Sequence, residues 1–159
     1  MRRWAFSIAL LAAIGAAPAP EGTAMKHAAG TFEVVITPEA QDAPAGGMPT
    51  SRMGIVKTFS GGMAGTATGT MLAAGTPKPG QAAGYVAIDQ FRGIVDGHAG
   101  GFLLLHRGTM TKAGGSDLSV IIAPDSGTGA LEGITGTFTI EIKDDKHLYD
   151  LAYRLPAGR

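Results

Sequence analysis

The chain has 159 residues, which is the length of a single ordinary domain. Hydrophobic residues make up 45% of it and charged residues only 16%, a globular composition that excludes a largely disordered chain. The 13 basic residues balance the 13 acidic ones, and no basic stripe is interleaved with aromatic residues, so nucleic acid is not an expected partner.

The first 24 residues differ in character from the rest. Met1-Arg2-Arg3 is positively charged, Trp4 to Ala17 is apolar, and small residues follow. This is the layout of a secretory signal peptide, too short and wrongly flanked for a membrane span. We therefore predict a cleavable signal peptide over residues 1–24 and a domain over residues 25–159, periplasmic or secreted, without stable membrane association after processing. If translation starts at Met25 instead, the protein stays in the cytoplasm.

The remainder is predicted to be a succession of strands separated by glycine and proline turns. Residues 31–37 alternate apolar and polar side chains up to Pro38, and the proline- and glycine-rich residues 38–51 are predicted to form a loop. Further strands are predicted at residues 52–60, 63–74, 82–92, 100–111, 116–123, 130–142 and 147–155.

Eight strands with no substantial helix predict an all-β fold, a single eight-stranded antiparallel β-barrel. Closure into a barrel removes the sheet edges that would otherwise be exposed. A barrel of this size is either filled by its own side chains or holds one small ligand. The chain contains no cysteine, so the hydrophobic core must stabilise the domain without disulfide bonds.

Two candidates for acid–base chemistry lie on apolar strands. Asp89 lies on the same face of its predicted strand as Tyr85 and Phe91. It is therefore an outward polar residue, a desolvated acid with a raised pKa, or a hydrogen-bonded structural carboxylate. His106 shares a face with Phe102 and Leu104, and it is either satisfied in the core or a general acid or base. The histidines lack metal-ligand spacing, so no metal site and no cofactor are predicted.

A third motif runs through Asp125, Ser126, Gly127 and Thr128. Aspartic peptidases use such a sequence to place two carboxylates that share a proton. A single copy would require a homodimer that brings two of these loops together. The favoured interpretation is a turn, because Pro124 presets φ, aspartate and serine form local hydrogen bonds, and glycine accepts positive φ.

Three stretches together resemble the DUF3224 family: Tyr85-Val-Ala-Ile-Asp89, Phe102-x-Leu104-x-His106-x-Gly108-Thr109 and Pro124-Asp-Ser-Gly-Thr-Gly129. The resemblance extends from about Lys26 to Pro156. It implies a small antiparallel β-barrel similar in shape to allene oxide cyclase, and through that shape a lumen for a flexible apolar ligand.

The leading hypothesis is an exported barrel that binds a small hydrophobic ligand in its lumen, with cyclase- or isomerase-like activity as an extension of it. Asp89 and His106 would handle protons or stabilise charge. The predicted ligand-binding residues are Glu33, Lys57, Tyr85, Phe102 and Leu104. The alternatives are a structural or interaction barrel without a ligand and, as a minor one, a dimeric aspartic peptidase. The sequence leaves the oligomeric state and the ligand open.

Overall fold

The computed structural model describes residues 24–156, so the predicted signal peptide lies outside the described residues except for its last position. All regular structure in this range is β-strand, and none of these residues forms a helix that could cross a membrane. The strands are β1 (Lys26–Asp42), β2 (Thr50–Gly61), β3 (Met63–Gly75), β4 (Ala83–Val95), β5 (His98–Met110), β6 (Ser116–Ile122), β7 (Thr128–Gly129), β8 (Thr135–Lys143) and β9 (Lys146–Arg154).

The strands form one closed antiparallel sheet. Neighbours follow the order β4-β3-β2-β1-β9-β8-β6-β5, and the additional pairing of β5 with β4 closes the barrel. The two-residue β7 adds to β5 through Gly100–Gly129 and Gly101–Thr128. The predicted eight-stranded antiparallel barrel is therefore confirmed, with one short extra strand.

Pro38 does not end the first strand as predicted. β1 continues to Asp42, and its register against β2 shifts between Pro38 and Ala40. A bulge at this point lets the ladder continue past a residue that has no N–H to donate. The predicted loop at 38–51 is thereby reduced to residues 43–49.

The predicted strand at 130–142 begins only at Thr135. Residues before it form tight turns, with Leu131 N–H donating to Thr128 O and Ile134 N–H donating to Leu131 O. Leu131 and Ile134 are both fully buried, so their apolar pattern reflects core packing within turns. An apolar run in the sequence does not by itself distinguish a buried strand from buried turns.

One end of the barrel is filled by its own side chains. Phe59 packs edge-on against Phe91 at 5.6 Å between ring centroids, and Phe138 stacks on Tyr149 at 5.3 Å. The Tyr149 hydroxyl accepts a 2.7 Å hydrogen bond from the backbone N–H of Met63, tying the β2–β3 turn to this cluster. Aromatic pairs in such arrangements add about 0.5–1.5 kcal/mol each to area burial. We call this the closed end.

The opposite end, which we call the open end, carries the loops of residues 43–49, 76–82 and 111–115 and the turn at 144–145. The seam between β6 and β8 also differs from the others. It has a single register position, Ile121 opposite Thr137, whereas every other seam of the barrel has at least seven among the described residues.

Candidate functional site

Three polar side chains meet inside the barrel: Lys57 from β2, Asp89 from β4 and His106 from β5. They are the buried polar or charged residues among those that the structure describes. Each occupies an inward position of its strand's alternation, as Lys57 does between buried Ile55 and Phe59. The strand pattern therefore forces these polar groups into the interior.

The carboxylate of Asp89, which has no exposed surface, is the centre of this cluster. Its Oδ2 atom accepts a hydrogen bond from Lys57 Nζ, and His106 Nε2 lies 3.1 Å from the same oxygen. Lys57 Nζ also lies 5.6 Å from the centroid of the Phe32 ring, within range of a cation–π interaction. The lysine is held by a carboxylate and an aromatic face.

Small residues on β3 make this contact possible. Lys57 and Asp89 belong to β2 and β4, so the lysine must reach across the strand between them. It does so over Ala67, its own ladder partner, and Gly69, the partner of Asp89. A Cβ atom at Gly69 would lie 2.4 Å from Asp89 Oδ1 and 2.3 Å from Ile88 O. The glycine is therefore needed for the carboxylate to lie where it does.

The Gly69→Ala substitution is expected to lower the free energy of unfolding by about 1–3 kcal/mol, because the methyl group would overlap rigid backbone and the buried carboxylate. Gly84→Ala on β4 is the matched control, since a Cβ there meets nothing closer than 3.5 Å. It should leave stability unchanged within about 0.5 kcal/mol or raise it slightly. Urea denaturation of both variants measures the difference; equal effects would contradict the close approach.

Two buried polar atoms in the cluster lack a hydrogen-bond partner among the described residues, Asp89 Oδ1 and His106 Nε2. The histidine nitrogen is close to Asp89 Oδ2, but its direction in this conformation does not meet hydrogen-bond geometry. Most buried polar atoms in proteins are hydrogen-bonded. Asp89 Oδ1 and His106 Nε2 can therefore each form a further hydrogen bond.

The pKa of Asp89 is lowered from its ordinary value. Burial by itself raises this pKa, but the neighbouring His106 and the positive charge of Lys57 outweigh burial and favour the carboxylate. Asp89 is thus neither the outward residue nor the acid with a raised pKa that the sequence allowed. It is an ionised carboxylate held by a cation.

The lowered pKa of Asp89 predicts a loss of stability in acid. Above the ordinary pKa of about 3.9 the ionised Asp89 contributes its full stabilisation, and the contribution disappears as pH falls through the lower pKa of the folded state. Denaturation between about pH 7 and pH 2 should show a steeper acid decline in the wild type than in Asp89→Asn. Parallel declines would contradict the assignment.

Tyr85 connects the charged cluster to the open end. Its ring packs on Gly108, where a Cβ atom would lie 2.2 Å from the ring carbon Cε1. Its pKa is raised, first by burial and second by the negative charge of Asp89. Tyr85 lies on the same face of β4 as Asp89, and its ring faces the space at the open end.

That space is a cavity of about 460 Å³ at the open end. Its lining is mostly apolar and includes Met53, Met71, Ala73, Tyr85, Met110, Leu118 and Ile142. A shallower hollow of about 630 Å³ adjoins it along the rim of β1 to β5 and shares Ala73, Tyr85 and Gly108 with it. The barrel is filled at the closed end and hollow at the open end.

The structure places the predicted ligand-binding residues in four different environments. Tyr85 lines the cavity. Phe102 and Leu104 are fully buried, but neither is among the residues that line it. Lys57 belongs to the charged cluster. Glu33 is exposed and points outward, so its prediction as a lumen residue is wrong. Its neighbours along the strand show the alternation, since Phe32 is buried and Val34 packs against the core.

Sequence reasoning missed the methionines of the cavity. Met53, Met71 and Met110 all line it. Met53 lies on the same face of β2 as Lys57, and Met110 lies on the same face of β5 as His106. The period of two that puts the polar residues inside therefore also puts these methionines inside. The missing information was which end of the barrel is hollow.

The Asp125 motif forms a turn packed against β5. Asp125 is exposed with a φ of 59°, so the positive φ falls on Asp125 and not on Gly127 as predicted. Gly127 is needed for close approach instead, because a Cβ atom there would lie 2.1 Å from Leu131 O. The Ser126 hydroxyl donates to Ala123 O at 2.6 Å and accepts from Leu103 N–H at 3.1 Å, while the Thr128 hydroxyl donates to Gly101 O at 3.2 Å. These contacts account for the sequence as a structural turn.

The residues that the structure describes contain no group of three or more histidine, cysteine, aspartate or glutamate side chains placed to hold a metal ion. The charged cluster itself supplies one carboxylate and one imidazole, and a lysine occupies the third position. A cation in that position competes with a metal for the same carboxylate.

Comparison with known proteins points to a family without an assigned activity. A family model described as "Protein of unknown function (DUF3224)" matches residues 28–153. A crystal structure of a DUF3224 protein of unknown function from Shewanella oneidensis MR-1 is 38% identical, with a TM-score of 0.76, covering 84% of this chain and 100% of that one. A search of the curated proteins finds no match.

Proposed function

The chain belongs to the DUF3224 family, and for this member we propose a binding function: the barrel takes a small apolar ligand into the cavity at its open end. The observation that carries this proposal is the cavity itself. Its volume of about 460 Å³ falls within the range of about 300–1,000 Å³ that is usual for small-molecule sites. Its predominantly apolar lining favours an apolar ligand.

The chemistry of the lining supports a ligand without charge. Met53, Met71 and Met110 offer flexible, polarisable side chains that adapt to ligands of different shape. Tyr85 contributes an aromatic face and a hydroxyl, which suits an uncharged polar group such as an alcohol or a carbonyl. Asp117 is the one charged residue in the lining, and its carboxylate is already paired with Arg107, so it is not free to balance the charge of a ligand.

The charged cluster is assigned a positioning role. Asp89 has no exposed surface, and its Oδ1 faces Gly69, so a molecule in the cavity does not touch it in this conformation. A cyclase- or isomerase-like reaction would require the ligand to reach Asp89 or His106 beyond the cavity wall. The cluster instead fixes β2, β4 and β5 relative to one another, directly below the part of β4 that carries Tyr85.

We also propose that the protein acts outside the cytoplasm, as a periplasmic or secreted protein. The support is the signal-peptide pattern of residues 1–24, with cleavage expected after Ala16 or Ala24. The mass of the protein recovered from the exported fraction tests this proposal. A protein that retains Met1 and stays in the cytoplasm would contradict it.

Native mass spectrometry of the protein purified from that fraction tests the binding function, followed by solvent extraction and titration with the neutral fluorescent probe N-phenyl-1-naphthylamine. We expect either a bound apolar molecule or saturable probe binding that uncharged apolar compounds displace. A protein that carries nothing and does not bind the probe saturably would overturn the proposal and favour a structural barrel. Cleavage of a denatured protein at acid pH would instead revive the peptidase hypothesis.

A further inference from the structure

The seam between β6 and β8 is the weakest join in the barrel wall. Its single register position, Ile121 opposite Thr137, lies near the end of β6 that faces the closed end. Towards the open end, the described residues of β6 pair only with β5, and those of β8 pair only with β9. Two strand edges therefore run side by side from this point to the rim without a shared ladder.

The cavity lies directly behind this seam. Leu118 and Ser116 on β6 line it from one side, and Ile142 on β8 lines it from the other. Leu118 is 44% exposed and Ile142 is 69% exposed, although each lies on the face of its strand that points into the barrel. Inward apolar side chains with this much exposure indicate that the wall is open between them.

Separating these two edges costs less than separating any other pair of neighbouring strands in the barrel wall. A backbone hydrogen bond contributes about 0.5–1.5 kcal/mol net, so a seam with one register position has few such bonds to lose. The ladders of β2–β3 and β3–β4, by contrast, run along most of the length of their strands. Any widening of the barrel is therefore expected at the β6–β8 seam.

We propose that this seam is a lateral portal through which an elongated, uncharged apolar ligand reaches the cavity, with its tail lying between Leu118 and Ile142. The inference rests on the proposed binding function and adds the route and the shape of the ligand. An elongated molecule places one end against Tyr85 and lets the rest follow the apolar edges of the seam. A compact ligand would not use these exposed side chains.

A disulfide across the seam tests the portal, and the absence of native cysteine makes the introduced pair unambiguous. Continuing the register from Ile121 and Thr137 places Ser116 opposite Ile142, so the variant is Ser116→Cys with Ile142→Cys. The matched control is Glu33→Cys with Thr58→Cys, which joins directly opposed residues across the fully paired β1–β2 seam. Both pairs are studied oxidised and after reduction with dithiothreitol.

Stopped-flow mixing with N-phenyl-1-naphthylamine gives the rates of exchange. We expect the oxidised seam variant to bind and release the probe at least about tenfold more slowly than its reduced form, because the side route is closed. The control pair should exchange at the same rate in both forms. Equal rates in the oxidised and reduced seam variant, with binding intact, would overturn the portal and leave the proposed function standing.

A series of primary alcohols from 1-hexanol to 1-dodecanol tests the shape of the ligand. Each added methylene should tighten binding about fourfold in the wild type as long as it is buried. In the oxidised seam variant the gain should stop at a shorter chain, because the tail has no exit. The same chain-length limit in both forms would overturn the elongated-ligand part of the proposal.

Amide hydrogen exchange of the wild type decides the portal without any ligand or variant. The amides of residues 117–120 that do not bond to β5 should exchange much faster than the amides of β3. Protection equal to that of β3 would overturn the portal even if a disulfide failed to form. Failure of every apolar probe to bind, with these amides unprotected, would instead overturn the proposed function.

Discussion

Replacing Asp89 by alanine is expected to lower the free energy of unfolding by about 3–5 kcal/mol. The substitution leaves Lys57 buried without its carboxylate and removes the charge that faces His106. An uncompensated buried cation costs far more than the contact that it loses, because it has been taken out of water. Urea denaturation near neutral pH, with a check that the slope is unchanged, gives the value.

The ion pair between Arg107 and Asp117 provides the control for this experiment. Both side chains are exposed, at 55% and 61%, so Asp117→Ala should change stability by less than about 1 kcal/mol. If Asp89→Ala were no more costly than Asp117→Ala, the cluster would not behave as a buried ion pair.

A double substitution separates the loss of the carboxylate from the cost of leaving the buried lysine without a partner. Lys57→Met together with Asp89→Ala removes both charges, so it should be less destabilising than Asp89→Ala alone. The coupling between the two positions is expected to be about 0.5–3 kcal/mol. Strict additivity of the two single substitutions would show that Lys57 and Asp89 do not depend on each other.

Filling the cavity with Ala73→Phe is expected to weaken probe binding by about tenfold to a hundredfold, because the ligand loses burial equivalent to about one large apolar side chain, or about 1.5–3 kcal/mol. Ala73 lies opposite Tyr85 in the β3–β4 ladder and lines the cavity, so a phenyl ring there occupies the space of the ligand. Titration with N-phenyl-1-naphthylamine measures the change.

Ala64→Phe is the matched control, since Ala64 is an exposed residue on the outer face of the same strand. It adds the same side chain without entering the barrel, so probe affinity should not change. Thermal unfolding of both variants verifies that they remain folded. Undiminished binding by Ala73→Phe would place the ligand elsewhere, because the cavity would then be blocked and binding intact.

The charged cluster also bears on how the barrel selects its register. A one-residue slip of a strand moves every side chain to the other face. A slip of β4 would carry Asp89 to the outside and leave Lys57 without a partner in the interior. Because an unpaired buried charge is so costly, we infer that the cluster disfavours misregistered barrels.

Most of the fold could be predicted from local patterns in the sequence. The period of two in residues 52–60 assigned Met53, Lys57 and Phe59 to one face, and the structure confirms that this face is inward. The same alternation grouped Asp89 with Tyr85, and glycine and proline located most turns. These features are local, since they depend only on side-chain alternation along one strand and on backbone preferences at turns.

Which of those inward residues meet could not be predicted, because it depends on how the strands are staggered in the folded barrel. The ladder partners of Asp89 are Gly69 and Leu104, whereas Lys57 lies opposite Ala67 and His106 opposite Ala87. Their contact is diagonal across the barrel wall, and it depends on small residues in β3 and on the stagger of the strands. The lowered pKa of Asp89, the hollow at one end and the weak β6–β8 seam follow from this long-range arrangement, which alternation within a single strand does not encode.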